Sequence, residues 1–273
     1  MPLIVLLALL VALTGIGWLA RARRLRRERR ARLRDILLQS NVGGDRFHVA
    51  TVDALPGPAA SYLRRALAPD APLARSVDVR MSGRLRVAAD DWVPFEARQR
   101  ICAERGFLWE ARVGVLRRLG LHGSDWLFGD DAGVEYHLAD WWPAIDERRP
   151  EMARSAAGRL MVELIWLPSA LTPQRGAVWA SGDPDRAVVT PAGGKTAMTV
   201  AVADDGRLRE ISLVRRRVSA SGETSIAPYG VSVEAEERWG DFCVPSRLVA
   251  AWGIGTDDRE DFMQVSVDDI RWF

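Results

Sequence analysis

The sequence predicts a mainly β protein: a curved antiparallel sheet of roughly ten to twelve strands, forming a half-barrel, with one transmembrane helix ahead of it. A further helix is expected to plug the concave face of that sheet. Three observations carry this expectation. From Val77 onward apolar and polar residues alternate with period two, the links between those stretches are too short for parallel crossovers, and one helical-period segment interrupts the strands.

The amino-terminal element comes first. Pro2 to Ala20 is uncharged over nineteen residues, roughly 28 Å of helix and close to the thickness of a bilayer's hydrocarbon core. Nine arginines follow within residues 21–34, offset only by Glu28. Of these, Arg21, Arg23, Arg24, Arg26, Arg27, Arg29 and Arg30 are the residues expected against anionic lipid head groups. A cleaved signal peptide fits poorly, because its positive charge precedes the apolar core, and Ala20-Arg21-Ala22 is a spoiled small-x-small site. The expectation is a single-pass inner-membrane anchor over residues 1–20, an arginine-rich juxtamembrane segment and linker over 21–46, and a half-barrel domain over 47–273 on the cytoplasmic side. Asn41, Gly43 and Gly44 suit a connector.

The remaining elements follow in order. Leu55-Pro56-Gly57-Pro58 introduces a short helix with Tyr62, Leu63, Ala66 and Leu67 on one face, ended by Pro69 and Pro72. Val77, Val79 and Met81, then Leu85 and Val87 beyond Ser82-Gly83, alternate with Asp78, Arg80, Arg84 and Arg86. Trp92–Cys102 and Phe107–Leu116 read as a hairpin around Glu104-Arg105-Gly106, and Asp125–Phe128 and Val134–Leu138 flank an acidic turn at 129–133. Between Pro150 and Pro168, Met152, Ala156, Ala157, Leu160, Met161, Leu164 and Ile165 keep helical spacing, while Arg154, Arg159 and Glu163 fall outside that stripe. Such a face must be buried, and the concave side of the sheet is the surface able to bury it. Seven further strands follow, at Ala177–Ala180, Arg186–Thr190, Thr196–Ala203, Arg207–Arg217, Val231–Trp239, Phe242–Trp252 and Phe262–Trp272, with Asp204-Asp205-Gly206 and Gly240-Asp241 as tight turns.

Several blocks resemble a known family. Leu55-Pro56-Gly57-Pro58 with Tyr62-Leu63-Arg64, Trp92 to Ala97, Phe107 to Ala111, and Glu163-Leu164-Ile165-Trp166-Leu167-Pro168-Ser169-Ala170-Leu171 are similar to a bacterial family of unknown function. That family in turn looks like the half-barrel of periplasmic lipoprotein carriers. The resemblance implies a curved antiparallel sheet and capping helices around an apolar cavity.

Charge and motifs narrow the function. The whole chain is +2 and residues 21–34 carry +8 (nine arginines less one glutamate), so the rest is near −6. An acidic folded part with no basic stripe interleaved with aromatics argues against a nucleic-acid partner. Cys102 and Cys243 lie in no metal-ligand or CxxC spacing, and either pair or stay as small buried hydrophobes. Gly193-Gly194-Lys195-Thr196 ends like a phosphate-binding loop, but Val189 stands where that motif needs glycine, and a plain turn is the better reading. Asp125, Asp130, Asp131 and Glu135 offer carboxylate oxygens without EF-hand spacing, and His48, His122 and His137 share no ligand spacing. No metal, no cofactor and no catalytic set is therefore expected.

Two features point to binding. Ten of the eleven tryptophans lie beyond the apolar run, able to fill a barrel or to line a cavity. Glu163 lies on the plug helix, either as a pocket carboxylate or as the partner of a strand arginine such as Arg112. The candidate pocket residues are Trp109, Trp141, Trp142, Leu160, Glu163, Leu164 and Trp166, with Trp141-Trp142 in a connection suited to a rim. The expected function is a membrane-tethered binding module for a lipid or other apolar molecule. The alternative is a structural or interaction protein of the cell envelope with a filled core, and no protein partner is identifiable.

Overall fold

The computed structural model describes residues 2–38, 44–88, 91–114, 120–194, 196–218 and 224–273. Asn41, Gly43, Leu116 and Lys195, named above, lie outside the described residues. Among the described residues thirteen strands form one antiparallel sheet: β1 (Ser76–Ala88), β2 (Asp91–Cys102), β3 (Gly106–Val113), β4 (Leu121–Phe128), β5 (Asp131–Leu138), β6 (Trp142–Glu147), β7 (Val178–Ser181), β8 (Arg186–Thr190), β9 (Met198–Val202), β10 (Leu208–Val218), β11 (Thr224–Trp239), β12 (Phe242–Trp252) and β13 (Glu260–Trp272). Their order is β6-β5-β4-β3-β2-β1-β13-β12-β11-β10-β9-β8-β7. Every connection but one joins neighbours: the exception is the helical passage from one edge strand, β6, to the other, β7, while the first and last strands, β1 and β13, pair in the middle of the sheet.

The count exceeds the expected ten to twelve chiefly because β6 was expected as a connection. Its six residues are all exposed, so no burial periodicity marks it, and Pro143 is tolerated because β6 is an edge strand. Gly83 does not turn the chain. β1 runs straight through it, and glycine is needed there because a Cβ would stand 1.9 Å from the Gln264 carbonyl oxygen of β13. Gly206 does sit in a tight turn, at φ 80°.

Two helices cover the concave face. α2 (Gly57–Ala66) buries Ala59, Ala60, Tyr62, Leu63 and Ala66, with Pro58 in its first turn. α3 (Pro150–Glu163) is the plug helix. It passes into a 3-10 turn over Leu164–Trp166 and leaves helical geometry at Leu167, ahead of Pro168. Residues 164–171 are buried throughout, which makes this turn the centre of the packing on the concave side.

α1 (Pro2–Leu38) packs its second half on the opposite face of the sheet. Leu33 and Leu37 are buried against Leu108 and Trp126. The arginines reach sheet side chains: Arg26, Arg29 and Arg30 pair with the buried Glu135, and Arg23 and Arg27 pair with Asp140. Arg24 pairs with Glu28 and Arg21 is exposed. Among the described residues no helix is long and apolar enough to cross a membrane. This overturns the single-pass inner-membrane expectation and the cytoplasmic placement built on it. The head-group role expected of these arginines loses its support as well, since most of them are satisfied by carboxylates of the same chain.

Candidate functional site

Strand alternation gives the sheet two chemically different faces. On β3, Phe107, Trp109, Ala111 and Val113 point to the concave core, while Leu108 joins the α1 contact outside. On β5, Tyr136 belongs to the inner core, whereas Glu135 faces the α1 arginines. Asp125 and Glu135 therefore point to opposite sides and do not converge on a cation. Among the described residues no group of His, Cys, Asp and Glu is arranged to hold a metal.

Between α3, its 3-10 turn and the inner face lies a cavity of about 430 Å³, within the range of small-molecule sites. Apolar side chains from both halves of the sheet make most of its wall, among them Val113, Val231, Leu248, Val265 and Trp252. Of the expected pocket residues, Trp109, Glu163 and Trp166 line it. Trp109 is tilted against Phe95 at 5.9 Å, and the Trp166 indole N–H donates to the Pro245 carbonyl at 3.1 Å.

The other four do not line it. Leu160 and Leu164 are buried in the main core, where they hold the helix to the sheet. Trp141 is half-buried on the outer side with the Arg23 guanidinium 4.7 Å from its ring centre. Trp142 is exposed at the start of edge strand β6.

A charged cluster is set into this apolar wall. Arg159 Nε donates to Glu163 Oε1 at 2.6 Å, and a terminal nitrogen donates to Asp125 Oδ2 at 2.8 Å. The Gln99 amide donates to the other Glu163 oxygen. Arg112 is not the partner, because it is exposed on the outer face. Arg159 does not point away from the sheet as its place off the apolar stripe suggests. Helical spacing sets it four residues before Glu163, on the same face.

Burial pushes both carboxyls above their ordinary values, against the pull of Arg159. Burial also opposes the charge of Arg159, but Glu163 and Asp125 outweigh it and hold the guanidinium above its usual range. Tyr136 is pushed up by burial first and by the Asp125 carboxylate second.

Sequence reasoning missed Arg215, which also lines the cavity. Its guanidinium stands 4.4 Å from the Tyr229 ring centre and 5.2 Å from that of Trp252, and it donates to Ser155 of α3. Its inward direction follows from β10 alternation with Ile211 and Leu213, a signal present in the sequence.

A larger groove of about 790 Å³ lies on the outer face between α1 and the sheet. Its wall is charged, and much of that charge is paired: Arg23 with Asp140 at 2.8 Å, Arg98 with Asp78 at 2.6 Å, and Arg100 with Glu110 at 2.7 Å. Cys102 and Cys243 are free and buried, and burial raises both thiols. The Gly193–Gly194 segment joins β8 to β9 through a turn closed by Gly194 N–H on the Pro191 carbonyl at 2.9 Å.

Residues 45–263 match the model of a family of unknown function (DUF6544), a span that holds all the blocks carrying the resemblance noted above. Similar solved structures include a LolA-superfamily protein from Nitrosomonas europaea, 10% identical, with a TM-score of 0.40, covering 79% of this chain and 92% of that one. They also include a domain named for outer membrane lipoprotein sorting from Vibrio parahaemolyticus, 7% identical, with a TM-score of 0.39, covering 72% and 85%. No protein of curated function matches the chain.

Proposed function

The chain belongs to DUF6544, a family of unknown function, and from its own geometry we propose that the half-barrel is a binding module for an apolar molecule held beside α3. The observation that carries this reading is the cavity of about 430 Å³ with a mainly apolar wall. A protein whose sheet served only as a scaffold would gain stability by filling that space, since unfilled apolar volume forfeits dispersion contacts. A few polar side chains, Asp125, Arg159, Glu163 and Arg215, are set into that wall, a composition suited to fixing the orientation of a ligand whose bulk is hydrocarbon.

Trp109, Trp166 and Trp252 line the cavity and report its occupancy. Titration with N-phenyl-1-naphthylamine, a neutral apolar fluorophore, should give saturable energy transfer from tryptophan. Ala250→Phe narrows the cavity and should abolish that signal while far-ultraviolet circular dichroism stays unchanged. Native mass spectrometry with lipid extraction of the purified full-length protein identifies what it carries. No saturable uptake by the folded protein would leave the filled-core alternative.

A further inference from the structure

Two arginines line the cavity, Arg159 and Arg215, and a third, Arg217, lies beside it against Trp252; their charges are balanced differently. Arg159 has two carboxylates, Asp125 and Glu163. Arg217, the next inward position on β10, has Glu260. Arg215 has no carboxylate within 4 Å among the described residues. Its contacts are the Ser155 hydroxyl, the Tyr229 side chain and the face of Trp252, and its Nε is buried with no hydrogen-bond partner.

A guanidinium stays charged at neutral pH. In an apolar wall such a charge is costly unless matched, and aromatic faces compensate only part of it. Burial depresses the pKa of Arg215 below its ordinary value, the like charge of Arg159 acts in the same direction, and Tyr229 and Glu163 offset only part of this. The side chain is nevertheless kept at the cavity surface, where a hydrophobic residue of similar length would pack at lower cost.

We propose that the ligand is an anionic amphiphile, its single acidic head group paired with Arg215 and its hydrocarbon body filling the apolar cavity. A carboxylate or similar head would accept from the unpartnered Nε and the adjoining nitrogen in the forked geometry that guanidinium favours. Arg159 is unsuited to that task because its donors already serve two carboxylates. This inference rests on the binding reading above and adds the chemistry of the ligand's polar end.

Displacement of bound N-phenyl-1-naphthylamine by dodecanoate and by dodecanol separates the two claims. The chains are equally long and differ in the charge of the head. Wild-type protein should prefer dodecanoate by about tenfold or more, the range of a charge-assisted hydrogen bond. Arg215→Met should lose that preference and bind the two compounds with equal affinity, its fold being checked by an unchanged far-ultraviolet circular dichroism spectrum. Equal affinity of wild-type protein for the two compounds, or a preference that survives in Arg215→Met, overturns the head-group assignment and leaves the apolar cavity standing. Failure of the fluorophore and both compounds to bind overturns the cavity reading and this inference together.

Discussion

Arg159 meets Glu163 at 2.6 Å, one turn apart on α3, inside a wall of apolar side chains. Asp125 of β4 takes a second donor of the same guanidinium at 2.8 Å. One cation thus serves two buried carboxylates, and this inequality sets the consequences of removing each member. It also ties the plug helix to β4, at the floor of the proposed binding cavity.

Replacing the cation should be the severe change. Arg159→Leu leaves Asp125 and Glu163 facing each other in a buried site, and breaking such a pair from one side costs at least about 3 kcal/mol. Arg159 is the group that pulls both carboxyls down. Without it their folded pKa values rise further, so the variant should recover stability as the pH is lowered and both groups take up protons. Urea denaturation at neutral and at mildly acid pH checks this. A loss of stability that does not change with pH would point to lost packing of the arginine stem instead.

Removing one carboxylate charge should be mild, and its sign changes with pH. Burial raises the Glu163 carboxyl above its ordinary 4.5, so the folded state holds that proton more tightly than the unfolded chain. The stability this contributes is complete below about 4.5 and is lost as the pH rises through the folded value. Glu163→Gln stays neutral throughout. Wild-type protein should therefore be most favoured over the variant at the acid end, with the advantage shrinking toward neutrality. An advantage that grows with pH would mean that the ion pair with Arg159 outweighs burial.

Leu164→Asp should unfold the domain. Leu164 is fully buried at the first position of the 3-10 turn after α3. The substitution removes apolar packing and buries a charge with no partner, at least about 3 kcal/mol by either route. Loss of the cooperative thermal transition is the expected readout, with Leu164→Met, similar in volume, retaining it.

Much of this architecture was legible from sequence because periodicity and turn chemistry agree along most of the chain. β8 and β12 have the bounds their alternation gives, and Asp204-Asp205-Gly206 turns where expected. β6 was not legible, since an exposed edge strand has no buried face to pattern. At the site, Trp109, Glu163 and Trp166 were found from aromatic content and helix position. Arg159 and Arg215 were not, because an inward arginine in a strand or helix reads as a solvated residue until its neighbours are known. The arginine block misled for a related reason. Sequence shows a dense cationic run but not the carboxylate that receives it, and Glu135 lies more than a hundred residues later.

That carboxylate yields the last test. Glu135 is fully buried on the outer face, where Arg26, Arg29 and Arg30 of α1 and Arg148 after β6 converge on it. Glu135→Ala leaves four guanidinium groups around a position with no anion, so their mutual repulsion should push α1 off the sheet. The pairs of Arg23 and Arg27 with Asp140 and the Leu33 and Leu37 contact with Trp126 and Leu108 would then be the main links that remain. Trypsin should cut within residues 21–34 much faster in this variant, and amide exchange there should rise while the strands far from β5 keep their protection. Glu28→Ala is the control, since its pair with Arg24 is solvent-exposed and contributes little. Equal cleavage of both variants and wild-type protein would show that the arginine half of α1 is not held by Glu135.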